Sequence, residues 1–188
     1  MQAIELTVTL RHARPRVWRR LAVPPSLTLR DLHAVLQTAM GWEDYHLHLF
    51  EAGGVLYGDV EDFPGDVGDE EATTVADVAA RVGTFRYEYD FGDRWDHDLS
   101  FGRTPAPAGP TRPRCLAGAR ACPPEDCGGI PGYQHLLDVL ADPAAAEGED
   151  AELLEWLGDD YDPDAFDAAS TDELLELYDW HTCQRRRH

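Results

Sequence analysis

The segment that most restricts this chain runs from Phe85 to Phe101, where apolar and charged residues alternate on both sides of Gly92-Asp93-Arg94. A period of two around a turn is the pattern of paired β-strands. A one-residue slip would carry every side chain to the opposite face, so the pattern itself chooses between registers. A two-residue loop would put Tyr87 and Tyr89 on the face of Asp96 and Asp98. A three-residue loop instead pairs Phe91 with Trp95, Tyr89 with His97, Tyr87 with Leu99 and Phe85 with Phe101. That gives one aromatic face and one charged face, and it is the register the sequence predicts. It also sets Asp90 opposite Asp96 and Glu88 opposite Asp98, at a cost of roughly 0.2–1 kcal/mol per exposed like-charged pair. Arg86, Arg94 or arginines of the N-terminal region can relieve this. The alternatives are a bound cation, or a carboxylate pair used in acid–base chemistry.

Ile4, Leu6, Val8 and Leu10 alternate with polar residues, and Val17 to Val23 reads as the returning strand before Pro24-Pro25. Thr28 with Asp31 resembles a capping box for a helix carrying Leu29, Leu32, Val35, Leu36, Ala39 and Met40, with Gly41 at its C-cap. His46–Phe50 and Val55–Tyr57 are further short strands. This ββαβ order is β-grasp-like. Residues 58–71 form an acidic loop that fails the EF-hand pattern, with Phe63 and Pro64 where a ligand and a glycine are needed; a solvated loop is expected. A short helix follows over Val75 to Val82.

After the second hairpin come a Pro-rich linker at 104–114, an irregular stretch from Cys115 to Gly132, and helices around 133–140 and 149–157. Ser170 with Glu173 would cap the last helix. The expected fold class is therefore α+β: a β-grasp-like N-terminal ββαβ unit extended by a second β-hairpin, with C-terminal helices. One domain over 1–188 is expected, β-rich over 1–103, Pro/Gly-rich and loop-like over 104–132, and helical over 133–182.

All 16 cations are Arg against 36 acids, for a net charge of −20. The absence of Lys excludes a Walker-A lysine and Schiff-base chemistry. The acidity argues against nucleic-acid binding, which draws its affinity from clustered cations. Residues 1–40 run against the trend, with six Arg against Glu5 and Asp31. No stretch is apolar enough to cross a membrane, and no basic-then-apolar signal opens the chain, so a cytoplasmic protein with reduced thiols is expected.

His46 and His48 lie two apart on a predicted strand, a two-point metal grip to which His97 could add a third imidazole; core histidines are the other reading. Cys115, Cys122 and Cys127 could offer three thiolates to zinc, or be plain structural cysteines with no cofactor at all. Between the last two, Pro123-Pro124 stiffens a loop that presents Glu125 and Asp126 to an arginine or a ligand. Nucleophile-elbow, Rossmann and HExxH motifs are absent, and catalytic residues stay unassigned.

Pro15-Arg16-Val17-Trp18-Arg19-Arg20, Leu29 to Trp42, His46-Leu47-His48-Leu49-Phe50, Tyr89 to His97, and Cys122 to Gly129 with Pro131-Gly132-Tyr133 resemble, as a set, the Ri-plasmid open-reading-frame-three-like family. Its members are also named as TnpR-like passengers of an insertion element. The resemblance spans about residues 2–180. It implies one α+β domain with a β-grasp-like start, and no settled activity. Recombinase chemistry does not follow from the passenger name: Ser26, Ser100 and Ser170 are the only serines, and no basic DNA-binding region accompanies them. The family motifs fall on His46, His48, Asp90, Asp93, Trp95, His97, Cys122, Glu125 and Asp126. From these, all but Cys122 are expected to form a ligand or partner surface. The expected function is a non-enzymatic binding or accessory module associated with mobile elements, engaging a protein partner or a small ligand. The alternative is a metal-binding protein or metal-dependent hydrolase using His, Cys and Asp ligands.

Overall fold

The computed structural model describes residues 3–102 and 112–185, with side chains as far as Leu177. The fold is mixed α+β. Among the described residues eight strands form one sheet: β1 (Ile4–Leu10), β2 (Trp18–Val23), β3 (His48–Ala52), β4 (Val55–Gly58), β5 (Gly68–Asp69), β6 (Thr84–Tyr89), β7 (Trp95–Phe101) and β8 (Arg114–Ala119). Five α-helices accompany them: α1 (Leu29–Met40), α2 (Val75–Ala79), α3 (Gly129–Ala141), α4 (Glu149–Leu157) and α5 (Ala168–Arg185). The sheet order is β5-β4-β3-β6-β7-β1-β2-β8, antiparallel throughout except for the short β4–β5 pair. The second hairpin does not extend an N-terminal unit at its edge. It is inserted at the centre, with β7 against β1 and β6 against β3.

One face of the sheet is apolar and covered. Leu6, Val8, Leu10, Phe50, Phe85, Tyr87, Tyr89, Trp95 and Leu99 are buried, together with Leu32 and Leu36 of α1, Tyr133 and Leu136 of α3, and Leu175 of α5. The alternation of these strands matches a sheet solvated on its other face. Trp95 is among the largest fully buried side chains, and truncating such a residue to Ala costs about 3–5 kcal/mol. Helix α1 begins at Thr28, whose hydroxyl accepts from Asp31 N at 3.1 Å and donates to the Asp31 carboxylate at 2.9 Å. It ends at Gly41, left-handed at φ +92°, which donates to Gln37 O at 2.8 Å.

The central hairpin has the predicted faces but not the predicted pairs. Tyr89 faces Trp95, Tyr87 faces His97 and Phe85 faces Leu99. Asp90 adopts φ +57°, accepts from Gly92 N through Oδ1 at 2.8 Å, and takes Arg94 N on its carbonyl at 2.6 Å. This Asx-type turn occupies Asp90 to Arg94, two residues more than the pattern implied. A shift of two preserves side-chain parity, so the faces survive while every pair moves. Glu88 now faces Asp96, and Arg86 faces Asp98. Arginines relieve the like charges: Arg11 approaches Asp96 and Asp98 at 3.9 and 3.6 Å, and Arg94 approaches Glu88 at 3.6 Å.

Other local expectations also change. The 58–71 loop is not wholly solvated, because β5 joins the sheet and Glu70 is buried. Strand β8 arises in the stretch expected to be irregular, through pairing with β2 across a register shift at Arg20/Leu21. Asp167, not Ser170, caps α5: its Oδ1 accepts from Ser170 N at 2.6 Å. Most of the expected linker, residues 104–111, lies outside the described residues.

Candidate metal centre

Three connections meet at one end of the sheet: residues 41–47 between α1 and β3, the Asp90–Arg94 turn, and the Cys122–Gly128 loop before α3. Each is fixed by contacts that the local sequence supplies. Arg19, buried in β2, donates Nε to Ala39 O at the end of α1 at 2.8 Å and Nη1 to Ala119 O of β8 at 3.1 Å. Its Nη2 reaches Cys122 Sγ at 3.5 Å. A cation at a helix C-terminus is electrostatically favoured, and here it draws the third loop toward α1. Trp42 donates its indole N–H to Pro123 O at 2.9 Å and stacks on Tyr89 at 5.2 Å. Asp93 accepts from Gly128 N at 3.0 Å, and a Cβ on Gly129 would lie 2.5 Å from Asp93 O, so this close approach requires glycine.

These contacts bring His46, Asp90, Glu125 and Asp126 together. His46 Nε2 lies 3.2 Å from Asp126 Oδ1, 3.7 Å from Asp90 Oδ2 and 3.9 Å from Glu125 Oε2. One ligand atom each from His46, Asp90 and Asp126 falls within 4.8 Å of the others, and no other such group of three occurs among the described residues. The carboxylates are half committed. Asp90 Oδ1 is held by Gly92 N while its Oδ2 faces the imidazole. Glu125 Oε1 accepts from Glu43 N at 2.9 Å and Tyr89 OH at 3.1 Å. Its Oε2 and His46 Nε2 are both buried without a hydrogen-bond partner. Burying such atoms without a hydrogen bond costs roughly 1–3 kcal/mol each, a cost that a cation bound between them would offset. Donor separations of 3.2–3.9 Å are near those of donors about 2.0–2.2 Å from one ion. One imidazole with several carboxylates suits manganese, iron or zinc, with second-shell bonds already orienting the ligands.

The other expected site residues divide differently. Asp93 braces the α3 N-terminus. His48, Trp95 and His97, expected at a ligand or partner surface, instead face the core at 6%, 0% and 0% exposure. His48 faces inward because α1 covers that side of β3; it bonds Glu70 Oε2 at 2.8 Å and stacks on His33 at 3.5 Å. His97 packs edge-on against Trp42 at 5.3 Å, and burial lowers its pKa to about 4.

Cys115, Cys122 and Cys127 share no common donor set among the described residues. Cys115 is held along β8, its sulfur 3.9 Å from Ala117 O, and Cys122 touches Met40 Sδ at 3.5 Å under Arg19. Burial pushes the Cys122 thiol up to about 11; burial and Asp93 push that of Cys127 to about 12, so both remain protonated near neutrality. The expected zinc set of three thiolates is therefore not formed. The Cys183 side chain lies outside the described residues.

A second polar cluster is made of His33, Gln37, Asp44, His48, Glu70 and Tyr87, and of these His48 alone is among the expected site residues. Its one sequence signal is the i, i+4 placement of His33 and Gln37 on the buried side of α1.

Fold and site together define a mixed α+β protein with one histidine and three carboxylates gathered from three connections. The chain belongs to the plasmid pRiA4b ORF-3-like protein family, whose sequence profile matches residues 2–170. It is 40% identical over 178 residues to "Uncharacterized protein y4hQ" of Sinorhizobium fredii (strain NBRC 101917 / NGR234), covering 92% of this chain and 90% of that protein. It is also similar to the crystal structure of the protein of unknown function MM3350 from Methanosarcina mazei Go1, with a TM-score of 0.79 and 36% identity. That match covers 89% of this chain and 95% of the other. Among the described residues no helix is long and apolar enough to cross a membrane.

Proposed function

We propose that this protein is a binding module whose ligand is a divalent transition-metal ion, held by His46, Asp90 and Asp126 with Glu125 Oε2 beside them. The observation that carries the reading is the pair of buried, unpartnered atoms, His46 Nε2 and Glu125 Oε2, facing half-anchored carboxylates. An imidazolium ion-paired with the same acids would use the same atoms, and metal binding is what separates the two readings. The family's plasmid-derived description is the sole support for an accessory role on mobile elements, and an outside partner would meet the protein at this end of the sheet.

The test uses protein purified without a histidine tag or chelator. Elemental analysis and calorimetry with Mn²⁺ and Zn²⁺ should give about one ion per chain, lost in His46→Ala. No binding by the wild type overturns the reading. Turnover of a phosphoester or peptide by the metal-loaded protein, lost in Glu125→Gln, would make it a metal-dependent hydrolase with Glu125 as general base.

A further inference from the structure

His46 is not on a strand. It follows a connection, Glu43-Asp44-Tyr45, whose three successive backbone N–H groups are each held by a side chain from a different element. Glu43 N donates to Glu125 Oε1 at 2.9 Å, Asp44 N to Gln37 Oε1 at 3.1 Å, and Tyr45 N to Tyr89 OH at 3.1 Å. Backbone amides outside regular structure commonly turn to water. Here side chains from the loop before α3, from α1 and from β6 take them instead.

The middle anchor is part of a closed ring. Gln37 Nε2 donates to Tyr87 OH at 2.9 Å, and Tyr87 OH lies 2.8 Å from His33 Nδ1. His33 Nε2 lies 2.7 Å from Asp44 Oδ1, and Asp44 N returns to Gln37 Oε1. The Asp44 carboxylate can only accept, so the His33 proton sits on Nε2 and points at it. Burial holds the His33 ring neutral, so its bare Nδ1 accepts from the Tyr87 hydroxyl. His33, Gln37 and Tyr87 are 1%, 3% and 0% exposed, so water does not compete for these bonds. Asp44 sits at φ +61°, a conformation that a non-glycine residue keeps only when its surroundings enforce it. The ring supplies that enforcement two residues before the candidate ligand.

We infer that His33, Gln37 and Tyr87 are positioning residues: their closed hydrogen-bond ring with Asp44 sets the backbone that aims His46 at Asp90 and Asp126. This deepens the metal-binding reading and rests on it for its functional meaning. The ring itself does not touch the ligand atoms.

Two measurements separate the ring from the metal. In metal-free protein, Tyr87→Phe and Gln37→Leu should speed amide exchange at Asp44, Tyr45 and His46 about tenfold or more, while the interiors of β1 and β7 keep their protection. With Mn²⁺ as the probe, followed by the electron paramagnetic resonance of the free ion, both variants should bind about 10–100-fold more weakly than wild type, the range for second-shell substitutions. Val78→Ala in α2 serves as a destabilised control. It should lower the melting temperature yet keep the Mn²⁺ affinity within about twofold, which a merely structural role for the ring would not distinguish. Should Tyr87→Phe fail to fold, Gln37→Leu carries the comparison. Unchanged exchange at residues 44–46, or wild-type Mn²⁺ affinity in a folded ring variant, overturns the inference. Altered exchange with no Mn²⁺ binding by wild type upholds the ring and removes the metal reading.

Discussion

Two clusters of histidine and carboxylate, one beneath α1 and one at the end of the sheet, differ in how their atoms are committed. Beneath α1, both ring nitrogens of His33 are bonded, His48 pairs with buried Glu70 at 2.8 Å, and the two imidazoles stack 3.5 Å apart. At the end of the sheet the His46 and Glu125 side chains are more exposed, at 28% and 17%, yet His46 Nε2 and Glu125 Oε2 are themselves buried and have no hydrogen bond, while the partner oxygens on Asp90 and Glu125 are anchored. The residue types are the same. In the first cluster every imidazole is hydrogen-bonded to a neighbour and one atom, Glu70 Oε1, lacks a hydrogen bond but has Arg30 at 3.6 Å, whereas in the second the imidazole nitrogen itself is left without one, which marks that cluster as able to receive a ligand.

The comparison breaks most readily on stability. His48→Ala leaves the Glu70 carboxylate, 1% exposed, with only Arg30 at 3.6 Å. Stranding a buried charge in this way costs about 3–5 kcal/mol, whereas His46→Ala removes no hydrogen bond and should cost no more than about 0.5 kcal/mol. Urea unfolding of the two variants decides it, and equal losses would erase the distinction. Next in size is pH. His97 titrates near 4 in the folded chain because burial opposes its charge, against about 6.5 unfolded. Between those values the unfolded state binds the extra proton, so stability falls as pH drops from 6.5 to 4 and is flat with respect to this residue outside that window. The full loss is about 3 kcal/mol, and His33, lowered by burial, acts in the same direction. Unfolding free energies measured across that range should slope, and His97→Gln should flatten the slope.

These clusters also show what the amino-acid sequence could reveal. Helix α1 and strand β1 were legible because their periodicities are local. The two faces of the central hairpin were legible because face depends on parity alone, but the pairs were not, since the Asp90 turn is set by a side-chain hydrogen bond that no periodicity records. Strand β8, built from Arg-Cys-Leu-Ala-Gly-Ala, has weak strand character and exists through its pairing with β2. His46, Asp90, Glu125 and Asp126 were legible from the motifs. The motifs do not show that His48, Trp95 and His97 face the core, because the helix that covers them lies elsewhere in the chain. The partnership of His48 with Glu70, 22 residues away, and of His33 with Asp44 are tertiary facts.

Ligand addition sharpens the comparison from the other side. A metal ion at 100 times its dissociation constant stabilises the folded state by about 2.7 kcal/mol, a rise of about 5–10 °C in the melting temperature for a chain of this size. Thermal melts of wild type with Mn²⁺ should show it, and those of His46→Ala should not. An equal rise in both would put the ion elsewhere.

The smallest effect tests whether commitment of atoms, and not density of acids, makes the site. The outer face of the hairpin also crowds carboxylates, Glu88 against Asp96 with Asp98 nearby, but Arg11, Arg86 and Arg94 stand among them. These are exposed pairs worth about 0.2–1 kcal/mol, so Arg11→Ala should destabilise by no more than that. The loss should fade in about 1 M salt, where screening acts within about 3 Å. Because those acids already have cations, Asp96→Asn should leave Mn²⁺ affinity within about twofold, while Asp126→Asn should weaken it by about tenfold or more. Equal losses from the two substitutions would mean that the chain's overall acidity attracts the ion, and that the half-anchored carboxylates around His46 have no special claim on it.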